Sequence, residues 1–308
     1  MIDVAAPVAE ALRRGRPVVA LESTVLTHGL PRPANLALAH RLERVVAEAG
    51  AVPATVALVR GRLRVGLTTA ELEHLAAADV DKASLWNLAA LAARGADAGT
   101  TVATTLHAAS AAGIEVFATG GIGGVHLEPF DESADLVALA RYPLVTVCAG
   151  PKSVLDAPAT LERLETLGVP VLGWRSERLA GFHVPETDLP LPIRVDRADE
   201  VAAVLRAHVS LGLPGGVLLS QPVAEGLDPR AVAAWVAEAR SRAQADGVRG
   251  RGVTPTLLAT IAERSGGATV DVNLRLLEAN ARLAAEVAIA LRARPDPARP
   301  SIPTPEAP

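Results

Sequence analysis

The sequence predicts an α/β fold: a three-layer α/β/α sandwich around a largely parallel central sheet. Three observations carry this. Runs such as residues 17–21 (PVVAL), 144–148 (LVTVC) and 216–219 (GVLL) are apolar almost throughout, as strands covered on both faces are. Between such runs lie stretches with apolar positions three and four apart, the period of a helix with one buried face. Half of the 308 residues are hydrophobic, mostly Ala, Val and Leu, enough for one large core.

In chain order, residues 17–21 read as a strand and 34–49 as a helix. Residues 55–60 (TVALVR) and 63–67 read as strands close enough for a hairpin, followed by a helix over 69–77 capped by Thr68 or Thr69. A helix over 100–112 precedes a strand at 114–118 that ends in TGGIGG (119–124). A helix over 133–140, the strand 144–148, a helix over 153–167 and a strand at 169–172 continue the alternation. Later come a helix over 198–211, a strand at 216–219, and helices over 229–245, 255–264 and 270–291. No linker composition interrupts residues 1–291, which predicts a single catalytic domain. Residues 292–308 (RARPDPARPSIPTPEAP) are proline-rich and aperiodic, the composition of a disordered tail.

Formal charge is −4, with no basic block, which argues against nucleic acid as a partner. No uncharged apolar run of about 18 residues occurs, which argues against a membrane span, and the N-terminal stretch lacks a secretory-signal pattern. The single cysteine, Cys148, sits inside an apolar run, so it reads as a small buried hydrophobe suited to a reducing cytoplasm. Lys82 and Lys152 are the only lysines, against 28 arginines. An arginine can supply positive charge, but only an amine can lose its proton and attack carbon. On composition alone, chance survival of two surface lysines is the favoured explanation of the count.

In an open parallel sheet, ligands collect at the carboxyl ends of strands. Four segments fall there. Glu22, after the first strand, is placed to move protons if partly desolvated, or to pair structurally with an arginine or backbone amides. TGGIGGVH (119–126) offers backbone N–H groups to an anion, or is simply a turn. FDESAD (130–135) can bind a divalent metal or cap a helix. VCAGPKS (147–153) places Lys152 between a strand and a helix, where the helix N-terminus would favour its neutral amine; a solvent-facing or phosphate-holding lysine is the alternative. Asn273 and Asn280, seven apart, share one helix face.

These segments together resemble the pseudouridine-5′-phosphate glycosidase family, which includes proteins named after indigoidine synthase A. The matching strings include LESTVLTHGLPRPAN (21–35), GTTVATT (99–105), VFATGGIGGVH (116–126), FDESADL (130–136), VTVCAGPKSVLD (145–156) and NLRLLEANARLAAEVA (273–288). The resemblance implies reversible cleavage of pseudouridine 5′-phosphate to ribose 5-phosphate and uracil, a divalent metal such as Mn²⁺, and a homotrimer. Matched residue by residue, it implies Lys152 as the Schiff-base lysine, Glu22 as the proton-transfer group and Asp131 as the metal ligand. It implies substrate contacts at Lys82, Val102 and Ser133-Ala134-Asp135. Thr119, Gly121 and His126 match phosphate positions and Asn280 a uracil position. The chain departs from many relatives after Lys82 (ASLWN) and after His126 (LEPF), losing cations at both places. A related glycosidase for another C- or N-ribosyl phosphate, or a non-catalytic sugar-phosphate binder, are the alternatives.

Overall fold

The computed structural model describes residues 1–128 and 130–293. Its strands are β1 (Ile2–Val4), β2 (Val18–Leu21), β3 (Val52–Val59), β4 (Arg62–Val65), β5 (Asp81–Ala83), β6 (Ala98–Thr100), β7 (Val116–Ala118), β8 (Val125–Leu127), β9 (Phe130–Glu132), β10 (Val145–Cys148), β11 (Val171–Trp174), β12 (Arg178–Gly181), β13 (Val184–Pro190), β14 (Ile193–Val195) and β15 (Val217–Ser220). Its α-helices are α1 (Ala6–Arg13), α2 (Ala34–Glu48), α3 (Thr69–Ala77), α4 (Leu88–Ala93), α5 (Val102–Ala112), α6 (Ala134–Leu139), α7 (Ala157–Thr166), α8 (Ala198–Ser210), α9 (Pro229–Ala245), α10 (Val253–Arg264) and α11 (Ala268–Arg292).

Eleven strands form one sheet, with β1-β4-β3-β2-β7-β10-β15-β11-β14 as its main order. From β3 to β14 every neighbouring pair is parallel. The β3–β4 hairpin is antiparallel, as its short connection requires. β3 is long enough to serve twice: Val52–Thr55 pair with β2, and the rest extends to pair with β4 and β6.

Each central strand feeds two cores. Val18 and Ala20 of β2 join the side chains of α1, α5, α6 and α7, whereas Val19 and Leu21 join those of α2, α8 and α11. That alternation is the period of a strand with both faces covered, and it establishes the three predicted layers. A smaller cluster packs α9 and α10 onto Val154 and Leu155.

Two helix starts that differ from expectation bear on the site. Thr100 ends β6, and α5 starts after Thr101, whose hydroxyl accepts the Thr104 N–H. The helix expected over 153–167 starts only at Ala157, because Asp156 caps it and Pro158 fits its first turn. Lys152 therefore lies in a turn ahead of the helix, and the helix-dipole argument for its reactivity does not apply. Two hairpins, β8–β9 and β12–β13, were not legible in the periodicity. The last helix runs through Arg292; of the segment expected to be disordered, residues 294–308 lie outside the described residues.

Candidate active site

The carboxyl ends of the adjacent parallel strands β2, β7 and β10 bring three sequence segments together, as an open α/β sheet does. Glu22 follows β2, Thr119 follows β7, and Ala149-Gly150-Pro151-Lys152 follow β10. The Thr119 hydroxyl donates to Glu22 Oε1. The glycine-rich turn and the lysine turn are tied by backbone bonds: Ile122 N–H to Gly150 O (3.1 Å) and Lys152 N–H to Ile122 O (3.1 Å). Gly150 has φ +85°, and a side chain there would collide with the Ala180 carbonyl. The β12–β13 hairpin thus docks directly on the lysine turn.

Two cavities meet at these residues. The outer one, about 1050 Å³, is lined by Lys82, Val102, His126, Asp131 and Ser133-Ala134-Asp135, together with Glu22 and Lys152. The inner one, about 350 Å³, shares Glu22, Thr24, His28, Lys82, Lys152 and Thr254 with it and adds Leu30, Phe182, Leu258 and Leu277, with Gly121, His183 and Asn273. Thr119 and Asn280 line neither. Asn280 is buried on α11 and its Nδ2 donates to the carbonyls of Thr119 (2.8 Å) and Gly120 (3.3 Å), so it supports the glycine-rich turn from behind.

Asp135 faces the outer cavity, but both its oxygens are engaged: Oδ1 accepts from Ala103 N–H (3.0 Å) and Oδ2 from Gly123 N–H (2.8 Å). It clamps the start of α5 to the glycine-rich turn. Ser133 caps α6 by accepting the Asp135 N–H.

Burial pushes the Glu22 carboxyl above its ordinary pKa, opposed by the Lys152 charge and the Thr119 hydroxyl. Lost hydration at the cavity wall, then repulsion from Lys152, push the Lys82 ammonium below the usual lysine range. Two amines and one carboxyl of raised pKa at a cavity junction are a proton-transfer and nucleophile set. Burial holds His126 below its usual value, with Asp131 opposing; its Nε2 lies 3.0 Å from Thr254 Oγ1 at the start of α10. Cys148, by contrast, is buried with a thiol pushed up to about 12, an inert group.

Among the described residues no three His, Cys, Asp or Glu side chains converge on one point. Glu132 is paired with Arg163 (2.8 Å) and Asp135 is engaged as above. Asp131, opposite His126 in the β8–β9 hairpin, faces the cavity, and so does Asp81 of β5. Carboxylates so dispersed suit a hard divalent ion that keeps most of its waters, and do not suit a zinc-type cage.

The sequence indicated the lysines, Glu22 and the acidic hairpin. It missed His183, which reaches the inner cavity from the tip of the β12–β13 hairpin. Phe182 and His183 form that turn, with Phe182 at φ +64°, and no Asn-Gly or Asp-Gly pair marks it.

Residues 7–290 match the family model described as indigoidine synthase A like protein. A Thermus thermophilus protein named pseudouridine-5′-phosphate glycosidase is 59% identical over 275 residues, covering 89% of this chain and 98% of its own. One of the same name from Salinispora tropica is 52% identical over 294 residues, covering 93% and 91%. Among solved structures, the prealnumycin C-glycosynthase AlnA in complex with ribulose 5-phosphate superposes with a TM-score of 0.88 at 39% identity, covering 95% of this chain and 97% of that one. An indigoidine synthase A-like protein from Thermotoga maritima gives 0.88 at 32% identity with the same coverage.

Proposed function

The chain belongs to the indigoidine synthase A-like family, and from that premise we propose that it cleaves pseudouridine 5′-phosphate to ribose 5-phosphate and uracil, reversibly, through a Schiff base on Lys152. The observation that carries this reading is the junction of two cavities of unlike chemistry at Lys152 and Glu22. The polar outer cavity suits a sugar phosphate. The smaller inner one, with Leu30, Phe182, Leu258 and Leu277 on its wall, suits a planar neutral base. The bond between them falls at the amine.

That bond is carbon–carbon, so the leaving group cannot depart as an alcohol does from an ordinary glycoside. The Lys152 amine, having passed a proton to Glu22, attacks C1′, the C1′–O4′ bond breaks, and O4′ takes the proton that the attacking nitrogen sheds. Glu22, its carboxyl raised by burial, delivers a proton to uracil C5. The nitrogen lone pair then forms the C1′=N iminium while the C1′–C5 pair returns to the uracil ring. Water adds to the iminium, restoring the amine and releasing the aldehyde of ribose 5-phosphate. Lys82 supplies positive charge beside the substrate. Asp131 would hold Mn²⁺ or a similar ion, which supplies charge stabilisation when bound.

We further propose a homotrimer. Trp86, Phe130 and Val137 are exposed on or beside the outer cavity, and a subunit contact would cover them. Sedimentation of the purified chain tests this; a monomer at working concentration sinks it. Among the described residues no helix is long and apolar enough to cross a membrane, and the one cysteine is buried, which suits the cytoplasm.

The direct test is incubation with pseudouridine 5′-phosphate, with and without Mn²⁺, following free uracil by chromatography. Uracil release that falls on chelation supports the reading, and no release rejects it. The likeness to a C-glycosynthase favours one second reading, a different aglycone on the same sugar phosphate. Other C- and N-ribosyl phosphates in the same assay distinguish it.

A further inference from the structure

Besides the groups it shares with the outer cavity (Glu22, Thr24, His28, Lys82, Lys152 and Thr254), the inner cavity has only His183, Thr269 and Asn273 as polar lining among the described residues. A heterocycle buried there must still satisfy its carbonyl and N–H groups, or lose the hydrogen bonds it made to water. Asn273 offers an amide from α11, and His183 offers an imidazole from the opposite wall.

His183 is unusually well fixed for a turn residue. Its own carbonyl accepts the Leu227 N–H (2.8 Å), and the preceding Phe182 N–H donates to Ala149 O (2.9 Å). The Phe182 ring lies 4.6 Å from the imidazole, centroid to centroid, and presses onto Gly121. The turn is therefore held to the lysine strand, to the glycine-rich turn and to the loop before α9. The imidazole Nδ1 lies 2.8 Å from Ser153 Oγ, the residue next to Lys152. Among the described residues this is the one hydrogen bond made by either the Ser153 hydroxyl or the His183 ring. Ser153 lines an adjoining groove and not the inner cavity, whereas His183 lines the inner cavity, which leaves Nε2 as the nitrogen free for a ligand.

We infer that His183, oriented by Ser153, reads the edge of the heterocycle in the inner cavity as a fixed hydrogen-bond donor. With the serine hydroxyl donating to Nδ1, the ring proton stays on Nε2 and is presented to a carbonyl oxygen of the base. Burial pushes the imidazole down to about 4, so the ring stays uncharged at neutral pH and adds no cation beside Lys152. A donor at that place selects a ring carrying a carbonyl on the matching edge and rejects one lacking it, because His183 would then be left unpaired. Ser153 is a positioning residue that acts through the tautomer.

This rests on placing the base in the inner cavity, and the experiment separates the two claims. Uracil and ribose 5-phosphate are titrated separately by calorimetry into the full chain and into His183→Phe, His183→Gln and Ser153→Ala. Pseudouridine 5′-phosphate turnover is measured in parallel. His183→Phe is expected to weaken uracil roughly 5- to 50-fold, the loss of one buried hydrogen bond, while ribose 5-phosphate stays within about twofold. His183→Gln, which keeps an N–H near the Nε2 position, recovers most of that loss. Ser153→Ala gives an intermediate, uracil-selective loss. Unchanged uracil binding in His183→Phe overturns the inference, as does equal weakening of both ligands, which marks a merely structural hairpin. A wild-type chain that binds uracil but releases none from the nucleotide removes the proposed reaction and leaves the role of His183 to be decided by the binding series. If the wild-type chain binds no uracil, both claims fall.

Discussion

Gly121→Ala is a sharp test of the inner cavity. An added Cβ would lie 2.6 Å from Phe182 Cδ2, 2.7 Å from Cε2 and 3.0 Å from the Gly150 carbonyl. Carbon atoms rest at about 3.5–4.0 Å, so the ring must retreat by roughly 1 Å. It has little room, since Phe182 is 3% exposed and its N–H is bonded to Ala149. Gly121 does not have positive φ, so the backbone accepts alanine and the effect is steric. Overpacking of this kind costs about 1–3 kcal/mol. A displacement of about 1 Å at a reacting site costs on the order of 10²-fold in rate. Initial rates of uracil release at limiting pseudouridine 5′-phosphate should therefore fall about a hundredfold, with a melting temperature a few degrees lower. Gly113→Ala is the control. Gly113 sits at φ +80° after α5 with nothing near its added Cβ, so that variant loses stability while the folded enzyme keeps its rate. A Gly121→Ala protein within about threefold of wild type would refute the reasoning that the hairpin tip forms part of the site.

Lys152→Arg should abolish turnover, because a guanidinium cannot lose its proton and attack C1′; Lys82→Arg should mainly raise KM, and comparable losses of kcat in steady-state assays would undo that division. Glu22→Gln should lower kcat by about 10²–10⁴ yet raise thermal stability at pH 8. The folded carboxyl titrates above its ordinary value of 4.5, so the wild-type fold carries a buried charge at high pH and none at low pH. Melting curves should show the Gln advantage shrinking as pH falls toward 4.5, and an advantage that grows on acidification would contradict the burial argument. Asn280→Ala should cost about 1–3 kcal/mol for the Thr119 carbonyl left without its donor, the Gly120 carbonyl keeping the Ala149 N–H, and lower kcat without selectively raising the uracil KM. A uracil-selective KM effect in that variant would make Asn280 a base contact rather than a support.

The parallel frame was legible because its strands are almost purely apolar. The runs at β2, β10 and β15 admit no amphipathic alternative once both faces are covered. Of the two caps offered for α3, Thr68 or Thr69, Thr68 is the one used, and Glu71 completes a capping box with it. Short pieces escaped. β6 is Ala98-Gly99-Thr100, too brief to show a period, and it is a strand because Ala57 and Leu58 of β3 pair with it. The β12–β13 hairpin turns on Phe182-His183, which no turn rule favours; docking against Gly121 and Gly150 overrides the local preference. At the site, residue types and strand ends marked the segments that hold Glu22, Lys152 and Asp131, and the family resemblance then singled out those residues. The distinction between cavity wall and support was not available. Thr119 and Asn280 sit one layer behind, and the Asp135 oxygens are taken by backbone N–H groups, facts that depend on side-chain direction. The address given to Lys152 at a helix N-terminus followed from extending α7 too far, where Asp156 and Pro158 set its start.

The central claim is the covalent role of one amine. Ribose 5-phosphate and borohydride, added to the full chain with Mn²⁺, reduce any iminium to a stable secondary amine that peptide mass mapping can locate. Lys152 and Lys82 both line the junction of the cavities, so the experiment offers the protein a choice. The account predicts one ribose-phosphate adduct, on Lys152, which disappears in Lys152→Arg and persists in Lys82→Arg. An adduct on Lys82, or none on either lysine, contradicts it.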